Sequence, residues 1–224
     1  MNRPPFGNDE WYHCYSRGVE KRITFTSKAD HERFLHLLYI CNCDTALKLS
    51  DLKKTSYSDI FSLERGNELV HIGAYCLMPN HFHLLIKQES ENGISTFMRK
   101  LGTAYTMYFN IKYERTGNLF VKPFRSKHVS TDKYIQKLVS YIHLNPLELF
   151  EPTWKDGSLS SEESAYNFLC NYKYSSLSDY YTEKARPERN ILDEKSLIFL
   201  NPERKDINVL IGESTEYYQD FQAR

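Results

Sequence analysis

The chain has 224 residues, 41% of them hydrophobic, with 29 basic and 29 acidic side chains and a formal net charge of +0. That length and apolar share suit one domain with its own core, alone or with an appendage. The charge balance excludes coating of duplex DNA by bulk charge, leaving room for a local basic surface, and five cysteines with no CxxC pair exclude a disulfide or zinc-finger framework.

Residues 10–19, EWYHCYSRGV, are aromatic and β-prone, which predicts a first strand entering an Arg17-Gly18 turn. A helix follows over 32–41, with Ser27 or Asp30 as its cap and Phe34, Leu37, Leu38 and Cys41 at helical spacing. Residues 44–66 lack a clean period and read as a connection or insertion. Residues 68–78 form a second strand, Pro79-Asn80 a tight turn and 81–87 the antiparallel return strand. A long helix over 94–114 carries an apolar stripe that includes Phe97, Leu101, Tyr105 and Phe109, and Thr116-Gly117-Asn118 ends it. A strand interrupted by Pro123 comes next. The following helix is capped by Thr131 or Asp132 and stops near Asn145, because Pro146 disfavours helical geometry at the residue before it.

Strand, helix, strand, strand, helix, strand is the ferredoxin-like order, an α+β class with helices packed on an antiparallel sheet. Residues 1–146 read as the domain that holds this fold and 147–224 as a C-terminal extension packed on it. The extension contains YKYSS at 172–176 and a basic KARPER segment. The polar start, MNRPPFGNDE, and the lack of a bilayer-length apolar run predict a cytoplasmic protein with no membrane partner.

On a strand, His81 and His83 project from one face and Phe82 from the other. Two adjacent imidazoles can share a metal ion; the plain alternative is a pair of partly exposed or core histidines. Lys137, Tyr141 and Asn145 are four apart and share a helix face, an amine, a phenol and an amide in a row. Alone, they read better as a core tyrosine before a helix-ending Asn-Pro. Taken with the hairpin, two imidazoles and an amide oxygen suit a divalent ion that also holds a phosphate. A phenol of pKa about 10 is a weak nucleophile at neutral pH unless the phosphorus is made easier to attack.

Met78-Pro79-Asn80-His81-Phe82-His83 after an apolar strand matches the HUH motif, two histidines around a hydrophobic residue. YIHLNP at 141–146, following GNLFVKPFRSKHV, resembles the block that carries the single tyrosine of HUH transposases. With the first strand's Arg-Gly turn and YKYSS, the likeness covers roughly residues 11–180 and is closest to the REP-associated tyrosine transposases. It implies an HUH endonuclease-type fold and a metal-dependent endonuclease and strand transferase for single-stranded or hairpin DNA, working through a 5′-phosphotyrosine. By position, Tyr141 is the expected nucleophile, and His81, His83 and Asn145 the expected ligands of Mg or Mn. The working unit is a monomer or a homodimer.

Arg17 and Arg22 at the first turn, and Lys122, Arg125, Lys127 and Lys137 near the tyrosine, are the candidate DNA-binding residues; the ordinary alternative is a solvated face. Phe120, Phe124 and Tyr134 among them suit base stacking or core packing. Two other functions stay open: an inactive descendant that still binds structured single strands, and a zinc hydrolase in which Cys76 or a distant acid joins the histidines.

Overall fold

Alternating strands and amphipathic helices carry through to the computed structural model, which describes residues 5–45, 52, 54–156, 159–182, 185–200 and 206–222. Its elements begin with β1 (Trp11–Arg17), α1 (Lys28–Ile40), β2 (Val70–Met78), β3 (His81–Gln88), α2 (Gly93–Lys112), β4 (Arg125–Val129) and α3 (Asp132–Leu144). The four strands form one antiparallel sheet in the order β2-β3-β1-β4, the predicted ferredoxin-like arrangement. Observed ends differ from expectation by a few residues: β2 starts at Val70 and α1 at Lys28.

The sheet has two covered faces. On one, α1 and α2 bury an aromatic layer in which Phe82 of β3 lies 5.0 Å from Phe34 and 5.3 Å from Phe120. Both candidate caps of α1 are used: Ser27 Oγ accepts from the Asp30 amide, and the Asp30 carboxylate accepts from the Ser27 amide at 2.8 Å. Asp30 also accepts hydrogen bonds from Tyr108, Lys112 and Tyr113, which ties the start of α1 to the end of α2. On the opposite face lies α3, capped by Thr131 and packed between the sheet and the C-terminal helix that spans Ile207–Gln222.

Within 44–66, the stretch read as a connection turns inward at a 3-10 segment (Asp59–Ser62) that buries Ile60 and Phe61; residues 46–51 and 53 lie outside the described set. Asn145 keeps right-handed helical dihedrals in front of Pro146 against the usual preference, and its side-chain amide donates to the Tyr141 carbonyl at 2.8 Å. The chain then continues as α4 (Leu147–Phe150), α5 (Glu162–Asn171), α6 (Leu177–Tyr181), α7 (Glu194–Leu200) and α8 (Ile207–Gln222).

The extension seals the β2 edge of the sheet. Leu77 donates its amide to the Tyr174 carbonyl, and the Ser176 and Asp193 amides donate to the Tyr75 and Ile72 carbonyls; a strand edge left open would invite pairing with another chain. Arg186 of the basic KARPER segment is half-buried and turned inward: it pairs with Asp179 at 2.6 Å and donates to the Tyr75 hydroxyl and the Ser175 carbonyl. Arg189 donates to the Asp179 carbonyl, and Lys184 lies outside the described residues. The two described arginines of this segment therefore anchor the extension. Tyr180, Ile191, Leu192 and Tyr217 join the hydrophobic cluster that surrounds the sheet.

Candidate active site

Antiparallel pairing lines up three strands of side chains on the α3 face. Tyr15 of β1 and Cys76 of β2 sit opposite His83, and Arg17 sits opposite His81. The His81 and His83 rings are 5.1 Å apart at 88°. From the helix layer, Tyr141 brings its ring to 5.4 Å from His83, edge to face. His81, His83, Tyr141 and Asn145, with Arg17 and Arg125, line one cavity of about 400 Å³. The pairs read from i, i+2 spacing on a strand and i, i+4 spacing on a helix thus meet.

The hydrogen bonds behind the histidines matter as much as their positions. Nδ1 of His81 lies 2.6 Å from the Asn80 side-chain oxygen, an acceptor, so the proton sits on Nδ1 and Nε2 keeps its lone pair. Nδ1 of His83 is bonded to His13 Nε2 at 2.8 Å. Burial, helped by the nearby Arg17 charge, lowers the His81 pKa to about 4. Burial and the neighbouring His13 and His81 rings hold His83 well below the usual imidazole value. Both rings are neutral near pH 7, the form in which histidine binds metal.

Asn145 donates its side-chain amide to the Tyr141 carbonyl and lines the same cavity as His81 and the Tyr141 side chain. Two neutral imidazoles with Nδ1 already engaged, plus an amide oxygen, fit a divalent cation. Tyr141 is 6% exposed; burial raises its pKa above the ordinary phenol value, partly offset by Asn145. Cys76 is fully buried and is not among the side chains that line this cavity, so the zinc-hydrolase alternative gains no cysteine ligand there.

The six basic residues divide. Arg17 and Arg125 line the cavity. Arg125 and Lys122 also line an adjoining open groove of about 580 Å³ with Phe6, Tyr12, Tyr15 and Phe124. Arg22 is exposed beside the first turn. The other two are placed elsewhere: Lys127 has its ammonium buried beneath α8, 5.1 Å and 5.5 Å from the Tyr134 and Tyr217 ring centres, and Lys137 is paired with Glu216 of α8 at 2.5 Å. Of the three aromatics considered for stacking, Phe124 faces the groove, Phe120 is core and Tyr134 packs on Tyr217.

Several residues of the site had no local signature. Glu148 of α4, Lys155 and Tyr218 of α8 complete the cavity wall; Lys155 pairs with Glu148 at 3.1 Å and lies over the Tyr218 ring. The strand alternation His13-x-Tyr15-x-Arg17 was the readable clue to a functional face on β1. A second cluster, at the other end of β2, joins Glu68, His71 and Asp193, whose ligand atoms lie within 4.8 Å of one another. There His71 also meets Glu89 at 2.5 Å, and these carboxylates, Glu68 first, raise its pKa.

Among solved structures similar to the chain is that of a REP-associated tyrosine transposase bound to a REP hairpin, with a TM-score of 0.50 at 13% identity, covering 80% of this chain and 84% of that one. At that identity the likeness bears on the fold. No curated protein matches the chain. The family model described as "Transposase IS200 like" matches residues 29–145, from the first turn of α1 to Asn145 at the cavity. More than half the chain, including both hairpin histidines and Tyr141, falls within that match, and the chain belongs to the IS200-like transposase family.

Proposed function

We propose that the protein is a metal-dependent endonuclease and strand transferase for single-stranded DNA, cutting beside hairpins through a 5′-phosphotyrosine on Tyr141. The observation that carries this reading is the shared cavity in which the Tyr141 ring lies 5.4 Å from His83, beside His81 and Asn145. His81, His83 and Asn145 would hold Mg or Mn, which would polarise the scissile phosphate and stabilise its added charge. The Tyr141 oxygen forms the new bond to phosphorus. The 3′ oxygen leaves with the electron pair of the broken bond and ends as a hydroxyl, so the phenol's proton is balanced by the one the leaving group gains. Asn145, bonded to the Tyr141 carbonyl and lining the same cavity, helps orient the nucleophile against the phosphate. Reversal by an incoming 3′-OH joins a new strand, because the phosphotyrosine keeps the bond's energy.

Arg17, Arg125 and Lys122 suit the phosphates of a flank, and Tyr12, Tyr15 and Phe124 its unpaired bases. The hairpin on the similar solved structure supports hairpin DNA as the partner. We assign the chemistry to residues 1–146 and completion of the cavity wall to the extension. No described helix is long and apolar enough to cross a membrane; the cytoplasm, where the DNA is, is the compartment this reading requires.

The test is adduct formation. Wild type incubated with hairpin oligonucleotides carrying a 5′ flank, in Mg or Mn, should give a protein–DNA adduct that survives a denaturing gel and maps to the Tyr141 peptide. Tyr141→Phe should bind the hairpin equally well and give no adduct. An adduct on another residue sinks the assignment of Tyr141, and wild-type binding without cleavage on every hairpin tried favours the binding-only alternative.

A further inference from the structure

Behind His83 a chain of polar side chains runs through the interior to the C-terminal helix. His13 Nε2 lies 2.8 Å from His83 Nδ1, and His13 Nδ1 lies 2.8 Å from the Tyr217 hydroxyl. All three side chains are withdrawn from water, at 0% exposure for His13, 4% for His83 and 0% for Tyr217. The His13 and His83 rings stack at 5.0 Å. Tyr217 comes from α8, far along the chain from the β1 residue it meets.

A neutral imidazole carries one N–H and one lone pair, so hydrogen bonds along this chain must all point one way. In one direction His83 Nδ1–H donates to His13 Nε2, and His13 Nδ1–H donates to the Tyr217 oxygen. His83 Nε2 then carries a lone pair. In the other direction Tyr217 O–H donates to His13 Nδ1, His13 Nε2–H donates to His83 Nδ1, and the remaining proton occupies His83 Nε2, where a cation would bind. The same three side chains thus have a ligating and a blocked arrangement. In the ligating arrangement the Tyr217 oxygen is the acceptor that fixes the His13 proton on Nδ1.

We infer that His13 and Tyr217 are positioning residues that hold His83 in its ligating tautomer, so that docking of α8 completes the metal site. The inference rests on the proposed role of His83 as a ligand. Loss of an outer hydrogen-bond partner of a ligating histidine commonly weakens metal binding by about 10- to 100-fold. Tyr217→Phe removes a single oxygen and keeps the ring, so packing against Tyr134 and Tyr141 is retained.

The experiment uses the full chain without DNA. Mn affinity is measured calorimetrically for wild type, His83→Ala, Tyr217→Phe, His13→Phe and His13→Gln, and imidazole nitrogen shifts are read by NMR on the metal-free proteins. Wild type should bind Mn with His83 protonated on Nδ1. Tyr217→Phe should bind about 10-fold or more weaker, with a share of His83 moved to the Nε2–H form. His13→Phe should lose at least as much, and His13→Gln, which restores a carbonyl acceptor, should recover most of it. If His83→Ala binds Mn as wild type does, the metal reading itself fails. If His83→Ala loses binding while Tyr217→Phe keeps wild-type affinity and tautomer, the positioning role is overturned. Should Tyr217→Phe fail to fold, equal losses in His13→Gln and His13→Phe would overturn it as well.

Discussion

Arg125 and Lys137 carry the same charge and stand close in sequence, yet only Arg125 faces the cavity, while Lys137 spends its charge on Glu216. Arg125→Ala should weaken hairpin binding and reduce the slope of log affinity against log salt by about one, the signature of a lost phosphate contact. Lys137→Ala should leave both unchanged; a change of slope in Lys137→Ala with none in Arg125→Ala, measured by fluorescence anisotropy over a salt series, would reverse the assignment. His81→Ala and His83→Ala should each abolish divalent-dependent cleavage while the melting curve stays that of a folded protein; wild-type cutting by either variant removes the metal assignment. The histidines, Tyr141 and Asn145 were legible because their relation is local, two residues apart on a strand and four on a helix. Lys137 misled because i, i+4 spacing defines a face without saying what packs against it. Tyr217, Tyr218 and Lys155 reach the site only through tertiary docking, which leaves no mark in a short window.

At the scale of an element, the start of α1 shows how one side chain can join two helices. Asp30 is fully buried, and although burial alone would raise its pKa, hydrogen bonds from Lys112, Tyr113 and Tyr108 outweigh that and hold it at about 2. A carboxylate whose folded value lies below its unfolded one stabilises the fold above the unfolded value of 3.8, and this contribution is lost as pH falls toward about 2. The shift corresponds to about 2 kcal/mol at neutral pH. Asp30→Asn should therefore be less stable than wild type in urea at pH 7 by about 2 kcal/mol or more, and the gap should narrow as both are titrated to pH 2–3. A gap that is constant across that range would mean the ionised carboxylate is not what holds α1 to α2. The Ser27-x-x-Asp30 pattern, the hairpin and both long helices were readable because capping, turn and periodicity rules act within a few residues. The inward turn at Phe61 and the helical dihedrals of Asn145 before Pro146 were not, since each is imposed by what lies against it.

Across the whole molecule, the extension behaves as part of the core. Arg186 of the basic KARPER segment is half-buried, held against the buried Asp179 and three oxygens of the β2 edge region. Arg186→Met should leave the buried Asp179 without its partner and cost about 3–5 kcal/mol of stability, with the salt dependence of DNA binding by the folded fraction unchanged; a stable variant with selectively weakened DNA binding would make Arg186 a DNA contact instead of an anchor. The fold class was legible because element order narrows sheet topology to few choices. The closure of the β2 edge and of the cavity by residues after Pro146 was not, because nothing local in a tail says which edge or helix it will meet.

That closure also has a consequence in time. The hairpin histidines, Tyr141 and Asn145 leave the ribosome well before α8, which brings Tyr217 behind His83 and Tyr218 to the cavity wall. A growing chain, or one cut short by premature termination, carries the whole HUH hairpin and its tyrosine but lacks that wall. For the activity proposed above, the order of synthesis would act as a safeguard: the hairpin and tyrosine are made first, and the wall that completes the cavity is made last.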